Sequence, residues 1–328
     1  MTARGWFLFS VMGVLWGIPY LMIKVAVDSD LSPSTVVFTR CALGAAILLP
    51  FAVRQGGLGR VVRGHWRPML AFACIEILGP WWTLTDAERH ISSSTAGLLI
   101  AAVPIIGALL ARFFGDTERL GARRLAGLGL GLGGVAVLTV PHLTGGDAWS
   151  LTEVMITALG YAIAPLIAAR HLREVPTLQL IAPCLVLAAL VYAPAAAVSR
   201  PDALPDTPTL LSLAGLGVIC TALAFVVFLE LIREAGPTRA VVFTYVNPAV
   251  AVAAGVTFLD EPLSVSVVAA FALILAGSFL ATAATSPSRG ARRVTWSARQ
   301  TSRAGGRVKT PSGALPEERP GSTGQGGG

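Results

Sequence analysis

Charge is what this chain has least of. Only 13% of its 328 residues are Asp, Glu, Lys or Arg, against 54% apolar residues and a mean hydropathy of +0.70. A water-facing fold of this length needs far more charge to cover its surface, which excludes a soluble globule. Lysine is nearly absent: of 25 basic residues only Lys24 and Lys309 are lysine, a bias that reflects high-GC codon usage and points to a bacterial source. The four cysteines, Cys41, Cys74, Cys184 and Cys220, stand singly with no C-x-x-C spacing and no histidine nearby, so they read as small packing residues and give no metal site. His65, His90, His142 and His171 fall in loops or at the ends of apolar runs, with no H-E-x-x-H and no paired carboxylates on one buried helical turn. The Gly-rich run Gly127–Gly134 lies inside an apolar stretch with no following lysine, so it is no P-loop. Intramembrane catalysis and ATP-driven work by this chain alone are therefore disfavoured. Neither cofactor, metal nor nucleic acid is expected.

What is present is apolar sequence gathered into runs. A bilayer core of ~30 Å takes about 20 residues of helix to cross. Ten runs qualify, near Trp6–Ala26, Val36–Val53, Pro68–Thr85, Ser92–Phe114, Leu125–Leu143, Leu151–Ala169, Leu178–Val198, Leu210–Ile232, Thr238–Phe258 and Ser264–Ala284. The expected fold is an all-α integral membrane protein of ten transmembrane helices. The first run is followed at once by a second, so it is expected to stay in the mature protein and not to act as a cleaved signal.

Arginine sets the orientation. With the N-terminus in the cytoplasm, 21 of the Lys/Arg residues fall on the cytoplasmic side, only Arg89 and Arg200 fall outside, and Lys24 and Arg40 lie within spans. The positive-inside bias predicts N-in/C-in and a place in the cytoplasmic membrane. Residues 286–328 carry eight of those basic residues against Glu317 and Glu318 in a Gly/Ser/Pro-rich context, which predicts a disordered cytoplasmic tail. Attraction of the tail to anionic lipid is the functional alternative to a plain solvated segment.

Ten spans invite a search for a repeat of five. A shift of about 144 residues brings Ser92–Gly107 against Glu234–Val252 with Pro104 on Pro248, sets Asp116 on Asp260 and, after a one-residue gap, Glu118 on Glu261 and Gly134 on Gly277. The loop after the fourth run is arginine-rich while its counterpart L-D-E-P-L has none, and the loops after the first and sixth runs show the opposite imbalance. Duplicated units of five spans insert in opposite senses, and the charges switch sides accordingly. The expected organisation is two inverted-topology repeats, 1–145 and 146–285, followed by the tail.

These residues resemble the drug/metabolite transporter superfamily, EamA type. The likeness rests on Trp16-Gly17 followed by Lys24, on Arg40, on Ser92 through Pro104 to the G-D-T-E-R-L of Gly115–Leu120, and on Pro248 with the L-D-E-P-L-S of Leu259–Ser264. It departs from the family pattern in an extra residue before Glu118, in Asp260 where glycine is usual, and in the tail. The resemblance implies a secondary transporter working by alternating access, commonly an exporter of small metabolites or drug-like compounds, with a small-molecule substrate. An importer or exchanger of the same fold stays open, as do a non-transporting scaffold and, less favoured, an intramembrane enzyme.

Charged residues inside spans are costly and so are functional candidates. Glu76 sits about 12 Å into the third run, near the midplane, where burial disfavours the charged form, the behaviour wanted of a proton-coupling site. A structural carboxylate is its alternative. Arg40 lies about 10 Å into a second helix beginning at Pro33 after Ser32, and Lys24 lies near the outer end of the first. Either could bind a substrate carboxylate or phosphate, or one could pair with Glu76, while Lys24 could simply snorkel. Trp16, Tyr20 and Lys24 recur at i, i+4, i+8, as do Glu153, Thr157 and Tyr161 with Pro165, predicting two facing walls of a central site. Pro104 and Pro248 interrupt corresponding spans, Tyr245 and Asn247 add polar groups beside Pro248, and Gly79-Pro80 offers a hinge near Glu76. The overlapping G-x-x-x-G pairs of Gly127–Gly134 predict close helix packing within the monomer, with a homodimer seam as the alternative.

Overall fold

A computed structural model of the chain describes residues 2–113, 122–145, 148–201, 203–235, 244 and 246–282, all of it helix, turn or loop with no strand among them. The tail, the acidic motif at Asp116 and Glu118, and Tyr245 lie outside the described residues.

The helices begin where local chemistry starts them. Thr2 caps α1 (Ala3–Leu15) by accepting from the Gly5 amide, and Pro19 opens α2 (Pro19–Asp28). Ser32 caps α3 (Pro33–Arg54), with Pro33 at the first helical position where its missing N–H costs nothing. A longer helical path follows: α4 (Leu58–Phe72), a π-helical segment Ala73–Leu78, and α5 (Gly79–Ala87). The backbone of His65 is non-helical and separates the turns that carry Arg60 and Arg63 from the segment that runs on through Arg67 into the apolar Met69–Phe72. Ser92 caps α6 (Ser93–Ile100), and α7 (Val103–Phe113) follows after a turn at Ala101-Ala102. Next come α8 (Ala122–Gly145), α9 (Ala148–His171) and α10 (Thr177–Val198). Asp206 caps α11 (Thr207–Ala214), which runs through a second π-helical segment, Gly215–Leu223, into α12 (Ala224–Ala235). The described chain closes with α13 (Asn247–Phe258) and α14 (Val265–Thr282).

Among the described residues five helical stretches are long and apolar enough to cross a membrane: Ala3–Asp28, Pro33–Arg54, Ala148–His171, Thr177–Val198 and Thr207–Glu234. Shorter apolar helices cover parts of the fourth, fifth, ninth and tenth runs. Large apolar side chains such as Phe7, Leu190 and Phe279 stay exposed, as surfaces facing lipid do.

Packing follows the repeat. The second predicted span packs on the seventh (α3 on α10), the fourth on the ninth (α6 on α13) and the fifth on the tenth (α8 on α14). The first meets the eighth (α1 on α12) as the sixth meets the third (α9 on α5). Glycine permits the closest of these contacts. A Cβ on Gly277 would lie 2.3 Å from the Gly131 nitrogen, so the G-x-x-x-G stretch serves packing within the chain, and this contact leaves no room for a side chain.

Two expectations need correction. The first span is not one continuous helix, because Trp16-Gly17-Ile18 forms a turn between α1 and α2. Pro19 cannot donate an N–H, and the departure from helical geometry lies at Trp16, with φ −104° and ψ 1°, while Ile18 keeps helical dihedrals. The Trp16, Tyr20 and Lys24 stripe is therefore interrupted. Secondly, Gly79-Pro80 does not break the third span. The helical path is maintained there, and the irregularity lies just upstream in the π-helical turns.

Candidate functional site

Arg40 organises the interior. The Ser32 cap and Pro33 fix the start of α3, leaving Arg40 two turns inside and only 7% exposed. Its Nε donates to Thr221 Oγ1 at 3.0 Å, and its guanidinium carbon lies 3.7 Å from the centre of the Trp81 ring. The Thr221 hydroxyl in turn donates to the Leu216 carbonyl, five residues back, at 2.8 Å. That carbonyl is displaced from ordinary α-helical pairing by the π-helical segment, so the distortion supplies the anchor. One edge of the guanidinium and one face are thus held, whereas neither Nη group has a partner among the described residues. A preorganised cation with two free parallel donors suits a carboxylate or phosphate.

Glu76 lies in the other π-helical segment, half-buried, and makes no hydrogen bond or ion pair. No ion pair joins it to Arg40 or Lys24, so the structure does not form the lock that the sequence left open. Its backbone surroundings are well supported. Tyr192 donates its hydroxyl to the Leu78 carbonyl at 2.8 Å, and Thr157 donates to the Pro80 carbonyl at 3.2 Å. Gly160 lets α9 approach so closely that a Cβ there would stand 2.5 Å from the Ile75 carbonyl oxygen. The irregular turn therefore carries Glu76 on a braced frame.

The sixth predicted span presents its stripe to this frame, with Glu153 and Thr157 buried and the Thr157 hydroxyl 2.7 Å from that of Thr83. Tyr161, further along, is near enough to Glu76, Arg40 and Trp81 to interact with each. Tyr20 is 6% exposed and lies within electrostatic range of both Tyr161 and Arg40. The structure thus brings Tyr20, Arg40, Glu76 and Tyr161 into one neighbourhood. Trp16 points elsewhere, against Phe225 and Phe228 of α12 at ring separations of 5.7 and 5.2 Å. Lys24 lies near the middle of α2 and reaches toward its C-terminal end, its ammonium 2.7 Å from Asp28 Oδ1 and 3.0 Å from the Glu88 carbonyl oxygen. Asn247 begins α13 with a buried Oδ1 that has no partner. Pro104 and Pro248 each stand at the start of a helix segment following a turn, in matching places of the two halves.

Sequence reasoning missed several polar groups. Trp81 and Thr221 look like ordinary apolar-run residues, and nothing in composition marks them as the supports of Arg40. Glu88 belongs to an Asp-Ala-Glu-Arg-His stretch that reads as loop, yet it is 0% exposed with both carboxyl oxygens unpartnered. The Glu153 carboxyl is likewise buried, with Asp86 and Trp149 as its polar neighbours. Glu261, from L-D-E-P-L, binds the start of α6. It accepts from the Ser93 amide at 2.7 Å, the Ser93 hydroxyl at 2.8 Å, the Ser94 amide at 3.0 Å and the Ser94 hydroxyl. The signal for that contact was already present in the S-S-S run opposite a lone acidic motif.

Long apolar helices, lipid-type exposed surfaces and an interior holding few, well-anchored polar groups define a multi-pass helical membrane protein. Comparison with known proteins makes this specific. Residues 3–140 and 148–283 each match the model of the EamA-like transporter family, and the chain belongs to that family. It is 27% identical over 263 residues to the uncharacterized inner membrane transporter YedA of Escherichia coli K12, covering 76% of this chain and 81% of that protein. An uncharacterized transporter of Archaeoglobus fulgidus is 24% identical over 284 residues, covering 84% and 98%. A probable terminal-alkyne amino-acid exporter of Streptantibioticus cattleyicolor is 30% identical over 149 residues, covering 44% of this chain and 46% of that protein. In fold, the chain resembles a solved crystal structure with a TM-score of 0.63 at 20% identity, over 86% of this chain and 98% of the other.

Proposed function

We propose that this protein is a secondary transporter that exports a small anionic or zwitterionic metabolite across the cytoplasmic membrane by alternating access. Its ten spans form two inverted repeats, 1–145 and 146–285, with both termini in the cytoplasm. The observation that carries the reading is the Arg40 guanidinium, buried, clamped by Thr221 and Trp81, and left with both Nη groups free. A buried cation with open donors is costly unless a ligand completes it. A substrate carboxylate or phosphate would do so, with Tyr20 and Tyr161 as polar neighbours. A carboxylate accords with the amino-acid exporter among the relatives. Lys24, tied to Asp28, serves the outer end of the path and not the central site. Pro104 and Pro248 allow the half-helices on either side to tilt separately, and Pro80 marks the end of the irregular turn.

Glu76 is the candidate for proton coupling, since it is the half-buried carboxyl within a π-helical turn and has no partner. An experiment in two stages tests the whole reading. Metabolites retained and released by cells with and without the gene identify the compound, and proteoliposomes containing only this protein then carry it. Glu76→Gln should abolish accumulation driven by a pH gradient while leaving counterflow exchange largely intact. Undiminished gradient-driven accumulation would remove Glu76 from coupling. Absence of any substrate flux with the wild-type protein would reject the carrier.

A further inference from the structure

One end of the molecule is closed by side-chain contacts between its spans. The Ser29 and Thr209 hydroxyls are 2.6 Å apart and those of Ser32 and Ser199 are 2.7 Å apart. Lys24 reaches from α2 to the Glu88 carbonyl at the end of α5, and Glu261 grips Ser93 and Ser94 at the start of α6. In the orientation proposed above, this is the external end.

Within this closed end lies Glu88. Its backbone carbonyl is bonded to Lys24, but its carboxyl is directed elsewhere, 0% exposed, with no hydrogen-bond partner for either oxygen. Among the described residues the charged or titratable groups within its electrostatic reach are Lys24 and Asp28 on α2, Arg40 on α3, and Glu261 before α14, with Tyr20 on α2 and Tyr161 on α9 also within range. Neither cation bonds the carboxyl: the Lys24 ammonium pairs with Asp28, and Arg40, held through Nε by Thr221, makes no ion pair with Glu88. Glu261 has its own four donors.

We propose that Glu88 is a proton-binding site that gates the external end of the carrier, which closes only when this carboxyl is protonated. The inference rests on the carrier reading and its orientation, and adds a second acidic group to the one assigned to coupling. A neutral carboxyl is tolerable in the closed end, whereas an ionised one would be buried with neither a bonded cation nor a donor, which is strongly disfavoured. Opening exposes the carboxylate to water and lets it compete with Asp28 for Lys24. A metal cation is a poor occupant, because one carboxyl with no other ligating oxygens bonded nearby lacks a coordination shell, and no group of three or more His, Cys, Asp or Glu suited to a metal occurs among the described residues. The step balances simply: a proton from the external solution binds one carboxylate oxygen, and no other bond changes.

The test reads conformation without substrate. Nitroxide labels at the exposed positions His90 and Leu204, in full-length protein with the exposed Cys74 replaced by alanine, report the width of the external end by pulsed electron resonance in liposomes. The wild-type closed-to-open ratio should rise as pH falls from about 9 to about 5, by up to about tenfold per pH unit for one linked proton. Glu88→Gln should stay closed throughout, and Glu88→Asp should retain a pH response. A flat wild-type profile, an unchanged response in Glu88→Gln, loss of the response in Glu88→Asp, or closure driven by sodium at fixed pH would each overturn the proposal. Because no transport is measured, a protein that carried nothing would still give a readable result here, which separates this failure from failure of the carrier itself.

Discussion

Thr221→Val is the sharpest probe of how Arg40 is held. Valine keeps the volume of threonine and the methyl that packs against α3 at Gly44, but removes the hydroxyl that accepts from Arg40 Nε at 3.0 Å and donates to Leu216 at 2.8 Å. A hydrogen bond to a charged group contributes about 1.5–3 kcal/mol, and a neutral one about 1 kcal/mol. The Trp81 stack, worth about 2 kcal/mol in a dry site, remains and keeps the guanidinium in place with its Nε unsatisfied. The expected loss is therefore about 2–4 kcal/mol. Thr221→Ser keeps the hydroxyl and gives up one methyl, about 0.8 kcal/mol.

Thermal unfolding in detergent, followed by tryptophan fluorescence, measures the difference. A chain of this size shifts by roughly 2–4 °C per kcal/mol, so Thr221→Val should melt on the order of 5–10 °C lower and Thr221→Ser only a few degrees lower. The same substitution in an Arg40→Met background isolates the contact. There Thr221→Val should cost only the Leu216 bond, leaving an interaction energy of about 1.5–3 kcal/mol between the two sites. Equal losses for valine and serine, or an additive cycle, would refute the view that the hydroxyl anchors the guanidinium.

Reporter fusions at Gly56, Gly121 and Gly313 should read as cytoplasmic and those at Gly145 and Asp206 as external, and an external signal at Gly121 would break the inverted-repeat arrangement. Arg40→Gln should insert normally yet carry an anionic or zwitterionic substrate at least tenfold less well in proteoliposomes, while wild-type flux would take Arg40 out of the site. Gly277→Val should lower the thermal midpoint by separating α8 from α14, because even its Cβ would lie 2.3 Å from the Gly131 nitrogen; an unchanged midpoint would show that the two helices do not pack this closely. Glu261→Ala should expose the start of α6, so amide exchange at Ser93 and Ser94 should accelerate at least tenfold, and unchanged protection would mean the carboxylate is not what holds them.

Much of the scaffold was legible because its signals are local. Ser32-Pro33 starts α3 as a cap followed by proline should, and that single boundary fixed the depth of Arg40. Pro104 and Pro248 marked helix starts in matching positions. The interrupted first span was equally available in the Gly17-Ile18-Pro19 sequence, but a periodic stripe concealed it. The π-helical segments were not legible, because an expanded turn has no residue signature. Ala73–Leu78 contains neither proline nor glycine, and the support from Tyr192, Thr157 and Gly160 comes from distant helices. Glu88 was hidden for a related reason. Its neighbours Asp86, Arg89 and His90 make the stretch read as solvated loop, and its burial depends on contacts with α2 at the closed end.

The two π-helical segments occupy the third and eighth predicted spans, which the repeat relates to one another, and Glu76 falls opposite Cys220 or Thr221 at an offset of 144 to 145 residues. The backbone irregularity is thus shared by both halves while the chemistry on it is not. The first half places a carboxyl on its widened turn, and the second places a hydroxyl that holds Arg40. A carrier with symmetric halves could exchange inward and outward states at equal energy. In the alternating-access carrier proposed above, exchange would carry Glu76 and Arg40 into different surroundings in each state, so the two states would differ in energy unless substrate or proton compensated. On that proposal backbone symmetry would provide the two conformations, and the unlike side chains on matching turns would let a bound ligand choose between them.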